Sequence, residues 1–276
     1  MLGERAPGRP AALIGILVGG LVATLLWMPA SWLAHGVAAA SQGQVQLSLP
    51  RGTLWQGSAE LVLSGGSGSR DSLRLPGRVH WRLSPQWQGP SFLSSAALGL
   101  QLRADCCTPE PLRLALQPAW PGWRVALADS ASIWPTALLA GLGTPWNTLQ
   151  PSGTAHLVPR QWQARWVDGR WQFSGQAELE LRQLASGLST LRPLGSYRLQ
   201  VQGDPSDPSG QALELTLATL QGELQLSGKG QWSGTRLRFA GEARAEAGKE
   251  AALANFLNVV GRRDGARSII SLGPAP

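Results

Sequence analysis

Apolar residues recur at every second position from Gln44 almost to the end of the chain, interrupted at intervals by glycine. Nothing else in the sequence restricts the fold as much. A side-chain period of two belongs to a strand with one face buried. The pattern covers residues 45–49, 54–63, 78–83, 97–104, 112–117 and 123–128, then 153–158, 161–167, 170–182, 197–203, 212–219, 223–228 and 236–245. Strands this short, joined by turns such as Gln221-Gly222 and Ser233-Gly234, pair antiparallel. The fold class is therefore mainly β. The Gly/Ser-rich stretch 65–72 reads as a flexible hairpin loop, and residues 130–142 as a short helix or turn with Pro135 near its start. Residues 183–194 form a connection. A helix fits 249–260, because Leu253, Phe256, Leu257 and Val260 form one apolar stripe, with Gly261 as its stop and Arg262 and Arg263 suited to the negative helix end.

Ahead of this body, residues 11–34 carry no charge and follow Arg5 and Arg9. A helix of about 20 apolar residues crosses a bilayer, and basic residues before it stay in the cytoplasm. This divides the chain into a cytoplasmic start at 1–10, a transmembrane helix at 11–34, a linker at 35–43 and an exported β domain at 44–276. The alternative is a cleaved signal peptide, with Ala38-Ala39-Ala40 as the processing site. The length of the apolar run, and Trp27 and Trp32 at its end, favour a retained anchor. Both readings export the body.

About 235 residues remain for that body, enough for one large β domain or two small ones. With 43% hydrophobic and only 15% charged residues, it is a folded chain. A weak repeat, G-x-A-E-L-x-L at 57–63 and 175–181, echoed at Gly241-Glu242-Ala243, points to two related halves, about 44–145 and 146–276. The net charge of +7 comes from arginines scattered singly along the strands, with no basic run or groove-reading helix. This excludes nucleic acid as the partner.

Catalytic spacing is absent. His35 flanks the apolar run, His80 and His156 fall on separate strands without a nearby carboxylate or cysteine, and no nucleophile elbow, H-E-x-x-H pair or P-loop occurs. The loop 204–210 carries two aspartates but too few ligands for calcium. Cys106 and Cys107 are adjacent. Their Cα atoms lie about 3.8 Å apart, inside the usual disulfide separation, so a bond between them would be strained. A link to another chain and two free thiols are the alternatives. Thirteen tryptophans stand against one tyrosine and four phenylalanines. They act as anchors of a thin β core or as the lining of a cleft for a peptide or acyl chain.

Several stretches in order, GTLWQGSA at 52–59, VHWRLSP at 79–85, PLGSYRL at 193–199 with Gly203, LTLATLQG at 215–222, LSGKGQW at 226–232, LRFAGEA at 237–243 and LNVVGRR at 257–263, together with the N-terminal apolar run, resemble the type II secretion system protein N family. The resemblance implies a single-pass inner-membrane accessory subunit with its bulk in the periplasm, binding other secretion subunits during export of folded proteins. It also implies no enzymatic activity, catalytic residues, metal or cofactor. The family is distantly similar to AsmA-like and lipopolysaccharide-transport proteins, which implies one long curved antiparallel sheet shaped as a trough, with a lipid- or glycolipid-binding role as the alternative. Trp55, Trp81 and Trp171 are the candidate contacts for partner or lipid, and Cys106 with Cys107 the candidate disulfide.

Overall fold

A computed structural model describes residues 9–66, 68–87, 96–120, 122–203, 212–233 and 236–273. The stretch 204–210 and the turn residue Gly234 lie outside the described residues, as does Ser67 of the 65–72 loop. In the first half the strands are β1 (Val45–Gly52), β2 (Gln56–Ser64), β3 (Ser72–Arg74), β4 (Val79–Trp87), β5 (Ala96–Ala104), β6 (Leu112–Ala119), β7 (Gly122–Leu127) and β8 (Ser132–Pro135). In the second they are β9 (Ser152–Val167), β10 (Arg170–Ala185), β11 (Gly195–Gly203), β12 (Ala212–Gly222), β13 (Leu224–Ser233), β14 (Arg236–Ala245), β15 (Arg262–Asp264) and β16 (Arg267–Leu272).

All of them join one sheet in the order β1-β2-β4-β5-β6-β7-β9-β10-β11-β12-β13-β14-β16-β15, with β3 on β2 and β8 on β9. Every pairing is antiparallel, so the chain meanders from one edge to the other. The mainly β expectation holds. Register sorts the side chains by face. Leu83, Leu100, Leu114, Leu127 and Trp162 line up across five strands. Leu179, Leu199, Leu217 and Ile270 continue the same face from β10 onward, with Gly228 and Gly241 between the last two. The other face carries Arg82, Gln101 and Arg113, and further on Glu178, Gln200, Thr216 and Lys229.

A single sheet must cover its apolar face with something else. Three elements do so in part. Helix α2 (Ala30–Ala40) lays Ala30 and Leu33 on Ala59 and Trp81. The 3-10 turn Thr136–Leu142 brings Leu138 onto Leu75, Val79 and Ala104. After a single helical turn, α3 (Trp146–Leu149), the last cover is α4 (Glu250–Val260). It buries Leu253, Phe256 and Leu257 against Leu194, Tyr197, Leu224 and Ala243.

Several boundaries differ from expectation, each for a physical reason. The uncharged run is not one helix over 11–34. Helix α1 (Arg9–Leu26) ends before Pro29, and α2 starts after it. Proline lacks the N–H that a helix interior needs and disfavours helical backbone at the residue before it. Ala30 and Leu33 are then drawn onto the core of the sheet, and the presumed linker is helical as far as Ala40. The 18 residues of α1 extend about 27 Å, and among the described residues no helix is long and apolar enough to cross a membrane. Leu49 leaves the alternation because β1 bulges between Ser48 and Arg51, which turns it outward. Residues 130–142 divide into β8 and the 3-10 turn. Gly261 is extended, not left-handed, and its lack of a side chain matters because a Cβ there would overlap the carbonyl of Ile269. Arg262 and Arg263 belong to β15 and so do not end the helix.

Candidate functional site

Between the regions covered by α2 and α4, the apolar face of β6, β7, β9 and β10 has no second layer at its hairpin end among the described residues. At the hairpin end of these strands, pairing places Pro118 opposite Trp123, Trp123 opposite Trp166, and Trp166 opposite Trp171. Two residues further along the strands, Leu116, Val125, Ala164 and Phe173 form the next row. The rings touch in series. Trp166 meets Trp171 edge-on at 5.0 Å between centroids, and Phe173 lies 6.4 Å from Trp171 and 6.2 Å from Trp162. Such pairs contribute about 0.5–1.5 kcal/mol beyond area burial. Leu116, Trp123, Val125, Trp166 and Trp171 line a shallow, open apolar hollow.

The three tryptophans singled out from sequence do not converge. Trp81 is 3% exposed beneath α2, and its Nε1 donates to the carbonyl of Leu54 at 3.0 Å, so it is a core residue. Gly57 lacks a Cβ where this indole lies against it. Trp55 sits nearby and donates from Nε1 to the carbonyl of Leu25 at 2.7 Å, tying the end of α1 to the sheet. Only Trp171 stands in the open hollow, at 39% exposure. Sequence reasoning missed its neighbours Trp123, Trp166 and Leu116 as a group. Trp166 and Trp171 flank the Asp168-Gly169 turn symmetrically, a legible signal. The approach of Trp123 required knowing that β7 pairs with β9 across the β8 excursion.

The polar face is dominated by charge pairing. Glu180 accepts from Arg198 Nη2 at 2.7 Å and Arg182 Nη2 at 2.7 Å. These two guanidinium groups hold its carboxyl at about 2, below the ordinary 4.5. Two histidines do have carboxylate neighbours, contrary to the sequence reading. His80 Nε2 lies 3.2 Å from Asp105, and His156 stands opposite Glu180 across the strand pair. The backbone N–H of Arg78, and secondarily His80, lower the pKa of Asp105 against its burial, while burial followed by the charge of Arg182 lowers that of His156. Among the described residues no group of three His, Cys, Asp or Glu is placed to hold a metal ion. Cys106 and Cys107 are joined as a disulfide, with Cys107 buried beside Leu138.

This ordered run of strands corresponds to a known family. A match to the family described as "Type II secretion system (T2SS), protein N" covers residues 43–270. The chain belongs to the type II secretion system protein N family. The match takes in the whole sheet except the last two residues of β16, and begins just after α2. No curated protein and no solved structure matches the chain.

Proposed function

We propose that the chain is a non-enzymatic accessory subunit of the type II secretion machine. Its N-terminal helix attaches it to the inner membrane, and its sheet lies on the periplasmic side, binding other secretion components. The family match over residues 43–270 carries this reading. Two structural features support it. Leu13, Ile16, Leu17, Leu21 and Leu26 of α1 are all exposed, and apolar side chains in such numbers need a bilayer or a partner. The two edges of the sheet are also unequal. Among the described residues β1 offers the regular stretch Val45–Ser48, ahead of its bulge and Pro50, with no strand on its outer side, whereas β15 has 3 residues, Arg262, Arg263 and Asp264, all charged. A regular free edge accepts a strand from a partner, and a short charged one repels it. Photo-crosslinkers at Gln46 and Ser48 in native membranes should capture another secretion subunit, and loss of the chain should reduce secretion of type II substrates with lipid composition unchanged. Unimpaired secretion, with crosslinks to lipid alone, would overturn the assignment.

The uncovered apolar face favours a second reading, a trough that holds a lipid or glycolipid chain along Trp166, Trp171 and Phe173. Native mass spectrometry of the purified chain should then show near-stoichiometric lipid, lost in Trp171→Asp without unfolding. A lipid-free chain would rule this reading out.

A further inference from the structure

We propose that the tips of the β6–β7 and β9–β10 hairpins are a membrane-contact site, seating their tryptophans in the bilayer interface and their arginines on anionic phospholipid headgroups. Trp120, between β6 and β7, is 99% exposed, and Trp123, Trp166 and Trp171 follow it on the apolar face. A tryptophan ring is apolar with one polar N–H, and it partitions to the headgroup level of a bilayer.

The reverse face of the same strands supplies the charge. Arg124 and Arg165 stand directly opposite each other on β7 and β9, with Arg170 beside the β9–β10 turn. Like charges in cross-strand register are destabilising unless an anion lies between or above them. The ion pairs of the described residues lie elsewhere, at Glu60, Asp105, Glu178 with Glu180, Glu223, Glu242 and Asp264. Arg124 Nε is buried without a hydrogen-bond partner. A phosphate oxygen reaches the exposed guanidinium groups of Arg165 and Arg170 beside it, not the buried Nε itself. The two tips also form one unit. A Cβ at Gly122 would overlap the carbonyl of Trp166, so β7 lies against β9 too closely for any side chain there. Tryptophans on one face and arginines on the other suit a hairpin pair entering an interface edge-on, where both faces meet the same headgroup layer. A single extracted lipid would occupy one face only. This contact does not depend on the secretion role.

The test uses the full chain in phosphatidylcholine vesicles with and without phosphatidylglycerol, a photoactivatable phospholipid, and adduct mapping by mass spectrometry. Adducts are expected at Trp120, Trp123, Trp166 or Trp171 when phosphatidylglycerol is present. Arg124→Gln and Arg165→Gln should each lower the tip yield about fivefold, as for one basic residue at an anionic surface, with α1 adducts unchanged. Trp120→Ser should lower it too, at an unaltered melting temperature. Adducts confined to α1, or equal tip labelling in both vesicle types, would overturn the proposal. So would an unlabelled tip in a chain that carries one phospholipid through detergent extraction.

Discussion

Glu180 is paired with two arginines on the polar face, and its behaviour with pH follows from these partners. Its folded pKa, about 2, lies below the ordinary 4.5 because Arg198 and Arg182 stabilise the anion. The stabilisation is complete above pH 4.5 and is lost as pH falls from there toward 2. A melting series should show Glu180→Gln less stable than the parent at neutral pH, with the gap closing through that acid window; a constant gap would mean the arginines do not set it. A second residue-scale expectation concerns Phe239, whose ring lies flat over Gly228, Gly230 and Gly241. A Cβ at any of the three would stand 3.0 Å or less from a Phe239 ring atom. Gly228→Val should push the ring off the sheet and cost about 1–3 kcal/mol. Unchanged stability would show that the ring has room to move. The glycines of the sequence repeat thus have local reasons, since Gly57 accommodates Trp81 much as Gly241 accommodates Phe239.

At the scale of elements, α4 is the cover on which the second half depends most. Leu253 and Leu257 are fully buried and Phe256 nearly so, while Asn255 faces solvent. Leu253→Ala should cost about 2–5 kcal/mol, and Asn255→Ala less than about 0.5; equal effects on melting would place the stripe away from the sheet. This helix was legible because a period of 3.6 within a β-patterned chain has one explanation. The strands after it were not. β15 and β16 are short, and Arg262 and Arg263 read as a helix end until Arg267–Leu272 is seen pairing with β14. α2 was hidden for the opposite reason: its sequence is apolar enough to pass for the continuation of α1, and only the core around Trp81 draws it onto the sheet.

For the whole molecule, the division between α1 and α2 predicts two different truncation outcomes. Deleting residues 1–28 should release the chain from membranes in alkaline carbonate and lower its melting temperature only slightly, since the sheet loses the bonds from Trp55 to Leu25 and from Leu54 to Met28 but keeps its core. Deleting residues 1–43 should also strip Ala30 and Leu33 from Trp81 and lower that temperature. If both deletions melt alike, α2 is not part of the fold. The alternation, the glycine punctuation and the closing amphipathic stripe sufficed to specify a single antiparallel meander with one apolar face and a helix upon it, because strand period and helix period are local properties of the backbone. What stayed out of reach is which part of that face is covered. Trp81 and Trp171 are indistinguishable in sequence, each an aromatic on an alternating strand. One lies in the core because α2 folds back over β4, and the other lies open because nothing among the described residues covers β9 and β10 at their hairpin end. Burial is a sum over contacts from distant segments, so it is decided only when the tertiary structure brings those segments together.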